Sequence, residues 1–181
     1  GMEISVPDRE IDVIGAQKIA GTYDAGNFVA IDIGTTTIAM ALVDGKSGDI
    51  ISEYGCPNSQ RAYGADVISR ISASNSGYGN ELRKLVIDDL KKGLCSLGTN
   101  YEKIIISANT TMIHLLLGYS CEKLGVYPFE PVNLFPDTVL IEDLSDKQIS
   151  FIPGISAFVG SDITAGIYAK GLHKTDKTIL F

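Results

Sequence analysis

Asp32, Gly34 and the three successive threonines Thr35, Thr36 and Thr37 lie between two apolar runs, Phe28–Ile31 and Ile38–Val43. Those residue types in that order suit a phosphate group carrying a bound cation. Threonine hydroxyls and backbone N–H groups donate to phosphate oxygens, and a carboxylate orders the water shell of a hard ion such as magnesium. Gly34 lets the backbone come close, Thr35 to Thr37 supply hydroxyls and amides, and Asp32 faces the metal. The competing reading is a plain hairpin with a polar turn. Short hairpin turns favour Asn-Gly or Asp-Gly, however, and β-branched threonines are poor turn formers. The patterns GxxxxGK[ST] and GxGxxG both lead into a helix. Neither occurs here, and a strand follows.

Such a turn must be held by the elements around it. Phe28–Ile33 and Thr37–Val43 read as strands, Asp44-Gly45 starts a turn, and Asp49–Cys56 is a third strand, giving an antiparallel meander. Val67, Ile68 and Ile71 recur at helical spacing, a Ser/Asn/Gly break follows at 74–79, and Leu82, Leu85, Val86, Leu90 and Leu94 mark a second helix ending near Gly98. Lys103–Ser107 reads as a strand buried on both faces. Asn109 caps a helix over Thr110–Leu117, which Gly118 closes. Residues 121–137 form a loop packed by its aromatics, and Thr138–Ile141 pairs with Gln148–Ile152. A connection, a helix over Asp162–Leu172 and a strand over Lys177–Phe181 complete an α/β layer fold with a mixed sheet. Residues 1–27 read as a tail or linker, and 28–181 as the domain.

Other polar residues carry two readings each. Asp66 begins a helix, where charge–dipole stabilisation explains it; the alternative is a general base acting on water near a γ-phosphate. Asn109, Thr110 and Thr111 open a helix after a buried strand, as caps or as anion-facing groups. Asp162, after a Gly-rich segment, is an N-cap in the bland reading. His114 reads as a packed helix residue. Arg61 and Arg70 read as solvated first, with facing phosphate or a partner as the alternative. Tyr127 and Phe129 read as packed beneath their loop first, with an exposed partner surface as the alternative.

Composition removes several function classes. With 45% hydrophobic residues, the 181-residue chain can build one sizeable core. A net charge of −7, with scattered Lys and Arg, argues against tracking a nucleic-acid backbone. No apolar run reaches membrane-span length, and the first residues are acidic where a signal peptide is basic, so the chain reads as cytoplasmic. Cys56, Cys95 and Cys121 lack CxxC spacing, and only His114 and His173 accompany them, so no local zinc or iron–sulfur site is expected.

The Phe28–Thr37 segment resembles the first phosphate motif of the sugar kinase, heat-shock ATPase and actin superfamily. Within it, Arg61–Ile71 (RAYGADVISRI), Asn109–Gly118 (NTTMIHLLLG), Leu124–Val132 (LGVYPFEPV) and Pro153–Ile167 (PGISAFVGSDITAGI) resemble the ATPase domain of reductive activators of corrinoid proteins. The resemblance implies a ribonuclease H-like, actin-like lobe: a mixed sheet with a three-stranded meander and flanking helices. It implies ATP and Mg2+ as cofactors, held by Asp32, Gly34, Thr35, Thr36, Thr37, Asn109 and Thr110, with Asp32 and Asp162 as metal ligands and Asp162 and Asp66 as catalytic candidates. It also implies a corrinoid-protein partner, and a [2Fe–2S] domain in the full-length protein but not in this chain. The chain stops where the superfamily begins its second lobe. ATP affinity near millimolar, about −4 kcal/mol, is therefore expected of this lobe by itself. A small-molecule kinase of the same superfamily and a non-catalytic docking module are the alternatives, and a homodimer is left open.

Overall fold

Alternate residues of Phe28–Ile33 differ sharply in exposure: Val29, Ile31 and Ile33 are buried, and Asp32 is exposed. The period of two belongs to a strand with one covered face. The computed structural model describes residues 26–134, 136 and 138–153. Five strands, β1 (Phe28–Ile33), β2 (Thr37–Val43), β3 (Ile50–Pro57), β4 (Lys103–Ala108) and β5 (Gln148–Phe151), form one sheet in the order β3-β2-β1-β4-β5. The first three make the expected antiparallel meander, whereas β4 runs parallel to both β1 and β5. Helices α1 (Val67–Ala73), α2 (Gly79–Leu97) and α3 (Thr110–Leu117) are accompanied by short helical turns at Ser59–Ala62, Ser74–Tyr78 and Glu122–Leu124.

The core lies between one face of the sheet and these helices. Val29, Ile31, Ile38, Met40, Ile104, Ile106 and Ile149 meet Leu82, Val86 and Leu90 of α2 and Met112, Leu115 and Leu116 of α3. Removing such apolar surface from water is the main force joining the layers. The register places Asp32 beside Ala39 on one side and Ser107 on the other, on the face away from that core. β4 departs from expectation here. Ile104 and Ile106 are buried, but Ile105 is only half-buried, because every second residue turns to Asp32's face.

The break at 74–79 is a wide helical turn, Ser74–Tyr78, kinked where Gly77 takes φ 100°. Gly98 ends α2, and Gly118, at φ 72° and ψ 24°, ends α3 in the left-handed conformation that glycine adopts without Cβ strain. The expected strand at Thr138–Ile141 shrinks to one bridge. Val139 exchanges two backbone hydrogen bonds with Ile149, each 2.9 Å, while β5 takes β4 as its main partner. The long loop also corrects its expectation: Tyr127 is 83% exposed and Phe129 39%, while Cys121 and Leu124, earlier in the same stretch, are the buried members. The helix expected at 162–172 and the strand at 177–181 lie outside the described residues.

Candidate functional site

β1 and β2 are joined across Gly34, Thr35, Thr36 and Thr37, and the turn closes with Gly34 N–H donating to Thr37 O at 3.0 Å. Thr35 and Thr36 adopt negative φ, the only positive value at a described non-glycine residue being that of Phe129. The two β-branched residues therefore sit in ordinary backbone territory. Gly34 also has negative φ, and its requirement is space: a Cβ there would lie 2.7 Å from Thr37 O.

Three successive carbonyls of the turn are held from behind. Asn58 donates from Nδ2 to Gly34 O at 2.9 Å and from its backbone N–H to Thr36 O at 2.9 Å, and Arg70 donates from Nη2 to Thr35 O. In a trans peptide the carbonyl of one residue and the N–H of the next point in opposite directions. With the carbonyls of Gly34 and Thr35 held by Asn58 Nδ2 and Arg70, the N–H groups of Thr35 and Thr36 turn away from those two side chains, while Thr37 faces Gly34 across the hairpin. Successive amides aimed outward form an anion-binding concavity.

The supports are themselves anchored. Asn58, Gln60 and Arg70 are all 0% exposed. Asn58 Oδ1 accepts from Gln60 N–H at 3.0 Å, Gln60 Nε2 donates to Leu82 O at 2.9 Å, and Arg70 Nη1 donates to Gln60 Oε1 at 3.3 Å. Asp89 on α2 accepts from Ser59 N–H at 2.8 Å and Ser59 Oγ at 2.9 Å, pinning the segment that carries Asn58. Arg70 thus corrects its expectation: it is a buried member of this network, where solvation was predicted, while Arg61 is exposed. Burial lowers the pKa of Arg70, and Asp66 one helical turn earlier opposes that effect through space. A guanidinium remains charged regardless.

α3 approaches from the other side. Asn109 caps it, accepting from Met112 N–H at 3.0 Å, and its Nδ2 lies 3.4 Å from Thr35 Oγ1. Asn109 thus caps α3 and stands beside Thr35. Thr110 is buried, and its carbonyl accepts from His114 Nδ1 at 2.8 Å. The opposite ring nitrogen, Nε2, accepts from Val132 N–H at 2.9 Å, so the imidazole is the neutral Nδ1–H tautomer. Its burial lowers its pKa, partly opposed by the bond to Thr110.

Asp32 lies two residues before Gly34 and lines an open concavity of about 290 Å³ with Ala30, Ala39, Ala41, Glu53 and Ser107. The alanines leave room above the sheet, and the carboxylate is exposed there. An exposed carboxylate two residues before the turn suits magnesium, which keeps several waters and takes phosphate oxygens as ligands. Asp66 is an exposed N-cap: its carboxylate accepts from Ser69 N–H at 2.8 Å and Ser69 Oγ at 2.9 Å, and the Ser69 backbone bond leads in lowering its pKa. Asp162 lies outside the described residues.

Sequence reasoning missed Asn58 and Gln60. Polar residues in a connecting segment read as solvated, and their partners are 24 and 22 residues away. Arg70 left a signal, since it shares a helical stripe with Val67 and Ile71.

Comparison with known proteins adds relationship to this geometry. A family described as the RACo middle region matches residues 28–175. The corrinoid activation enzyme RamQ of Eubacterium limosum is 29% identical over 154 residues, which are 76% of this chain and 26% of that protein. A solved structure of a reductive activator for corrinoid, iron-sulfur protein matches with a TM-score of 0.77 at 31% identity, covering 84% of this chain and 27% of that one. The chain spans about a quarter of the length of these relatives.

Proposed function

Because this chain belongs to the RACo middle-region family and has an actin-like ATPase fold, we propose that it is the phosphate-binding lobe of an ATP-dependent reductive activator of a corrinoid protein. What supports this reading is the turn between β1 and β2, where Asn58 and Arg70 hold the carbonyls of Gly34 and Thr35 and so turn the amides of Thr35 and Thr36 away from themselves. A polyphosphate would lie against those amides and the threonine hydroxyls, with Asn109 beside Thr35. Asp32, joined by Asp162, would orient the waters of a magnesium ion. Bound MgATP supplies the free energy of phosphoryl transfer, and the protein's part is positioning and electrostatic stabilisation. The capping hydrogen bonds from Ser69 lower the pKa of Asp66 and make it a weak base, so its role as general base has less support than that of Asp32 toward the metal.

Hydrolysis in the intact protein would drive a change in lobe closure that makes an uphill one-electron transfer to a corrinoid partner feasible. The electron would come from a [2Fe–2S] domain elsewhere in the full-length protein. Cys56 lies on β3, Cys95 on α2 and Cys121 before a short turn, and no three His, Cys, Asp or Glu side chains among the described residues are grouped to hold a metal. Calorimetric titration with MgATP tests the binding step. Wild-type protein should bind, and Asp32→Ala should weaken the magnesium-dependent part by on the order of tenfold, about 1.4 kcal/mol. An identical titration for the variant would retire Asp32 from this role.

A further inference from the structure

We propose that Arg70 is a positioning residue for phosphate: from behind Thr35 it sets the direction of the turn's amides and supplies positive charge that a polyanion on the outer face neutralises. The inference rests on the phosphate-binding reading above and gives the turn a buried positive charge opposite in sign to the exposed Asp32. Arg70 is 0% exposed, and its hydrogen bonds run to Thr35 O, Gly64 O, Gln60 Oε1 and Met112 Sδ, all neutral acceptors. A cation buried among neutral acceptors is costly unless negative charge compensates it. Asp66 acts on it through space, but that carboxylate is exposed and engaged with Ser69. The bond to Thr35 O joins the charge directly to the turn. It also fixes the peptide whose other end is Thr36 N–H, so the group that orients an anion donor is itself positive. Screening between Arg70 and a phosphate across one peptide plane is weak, because the intervening material is protein and not water.

Purely structural and electrostatic roles predict different things. A structural strut would matter equally for every ligand of the turn. A charge matters more as the ligand's charge grows, and its loss flattens the salt dependence of binding. The experiment compares wild type, Arg70→Lys and Arg70→Met, each checked for a cooperative melt, by titrating the whole chain with inorganic tripolyphosphate, MgADP and MgATP at several ionic strengths. Arg70→Met should lose affinity for tripolyphosphate by on the order of tenfold, lose more for MgATP than for MgADP, and show a shallower salt slope. Arg70→Lys should retain the wild-type slope while binding more weakly, because one ammonium does not reproduce the guanidinium fork. A folded Arg70→Met that binds tripolyphosphate with unchanged affinity and slope overturns the proposal.

A measurement on wild-type protein covers the case in which the variants do not fold. The Arg70 Nε–H resonance, held by Gly64 O at 3.0 Å, should shift when tripolyphosphate saturates the turn. Movement of the Thr35 and Thr36 amides without movement of Arg70 rejects the role of Arg70 alone. Absence of any response in both sets rejects the phosphate-binding reading itself, together with this inference.

Discussion

A methyl group on Gly34 would lie 2.7 Å from Thr37 O, a backbone oxygen with no rotamer by which to retreat. Gly34→Ala should therefore open the turn and cost about 1–3 kcal/mol, seen as a lowered denaturant midpoint with an unchanged slope. The glycine was legible in the sequence, but its reason was not: the neighbour it must admit belongs to its own turn. His114 yields a second expectation at this scale. Burial lowers its pKa, so the folded protein binds its proton less readily than the unfolded chain does. Its contribution to stability is complete above the unfolded value near 6.5 and declines as pH falls from there toward the folded value. The loss should approach about 1.4 kcal/mol per pH unit within that window. Comparing thermal melts of wild type and His114→Gln across pH 5 to 7.5 checks it; parallel profiles would show that this imidazole is not the source. Protonation of Nε2 would also remove the acceptor for Val132 N–H.

Among elements, periodicity was a good guide where one segment's own pattern decided its structure. β1, β2 and α3 occupy the ranges read from the sequence, since alternation, a capping Asn109 and a closing Gly118 are all local signals. It failed where another element decided. Thr138–Ile141 has strand-like residues, yet β5 gives its ladder to β4, and only Val139 bridges. The aromatics of the 126–132 loop were read as packing material. Their loop is instead tied at its root by His114 to Val132, which leaves Tyr127 and Phe129 turned outward, edge to face at 6.0 Å. The helix–sheet contact offers its own test. A Cβ on Gly93 of α2 would lie 2.1 Å from Met40 Sδ and 2.8 Å from Tyr54 Cδ1, so these side chains of β2 and β3 fill the space that a larger residue on α2 would take. Gly93→Ala should lift that helix and destabilise the protein by about 1–3 kcal/mol. Full stability in the variant would mean that Met40 and Tyr54 repack without resistance.

For the whole molecule, the sheet order puts β1 at the centre, so the end of β1 is where strands, α3 and the Asn58 segment converge. Composition and motif order made this architecture legible. The buried polar network beneath the turn was not, because it links segments that no sequence window contains together. Those separations bear on how the chain reaches its folded state. The β1–β2 hairpin involves neighbours and can close within microseconds. Its turn is then fastened by groups 24, 35 and 74 residues away: Asn58, Arg70 and Asn109. Loops of that length close later and dominate the rate. The hairpin should consequently form early with a loose tip, and the tip should acquire its final shape only when α1 and then α3 arrive. In a pulse-labelling refolding experiment, amides within β1 and β2 should gain protection before Asn58 N–H, the donor that fastens Thr36 O.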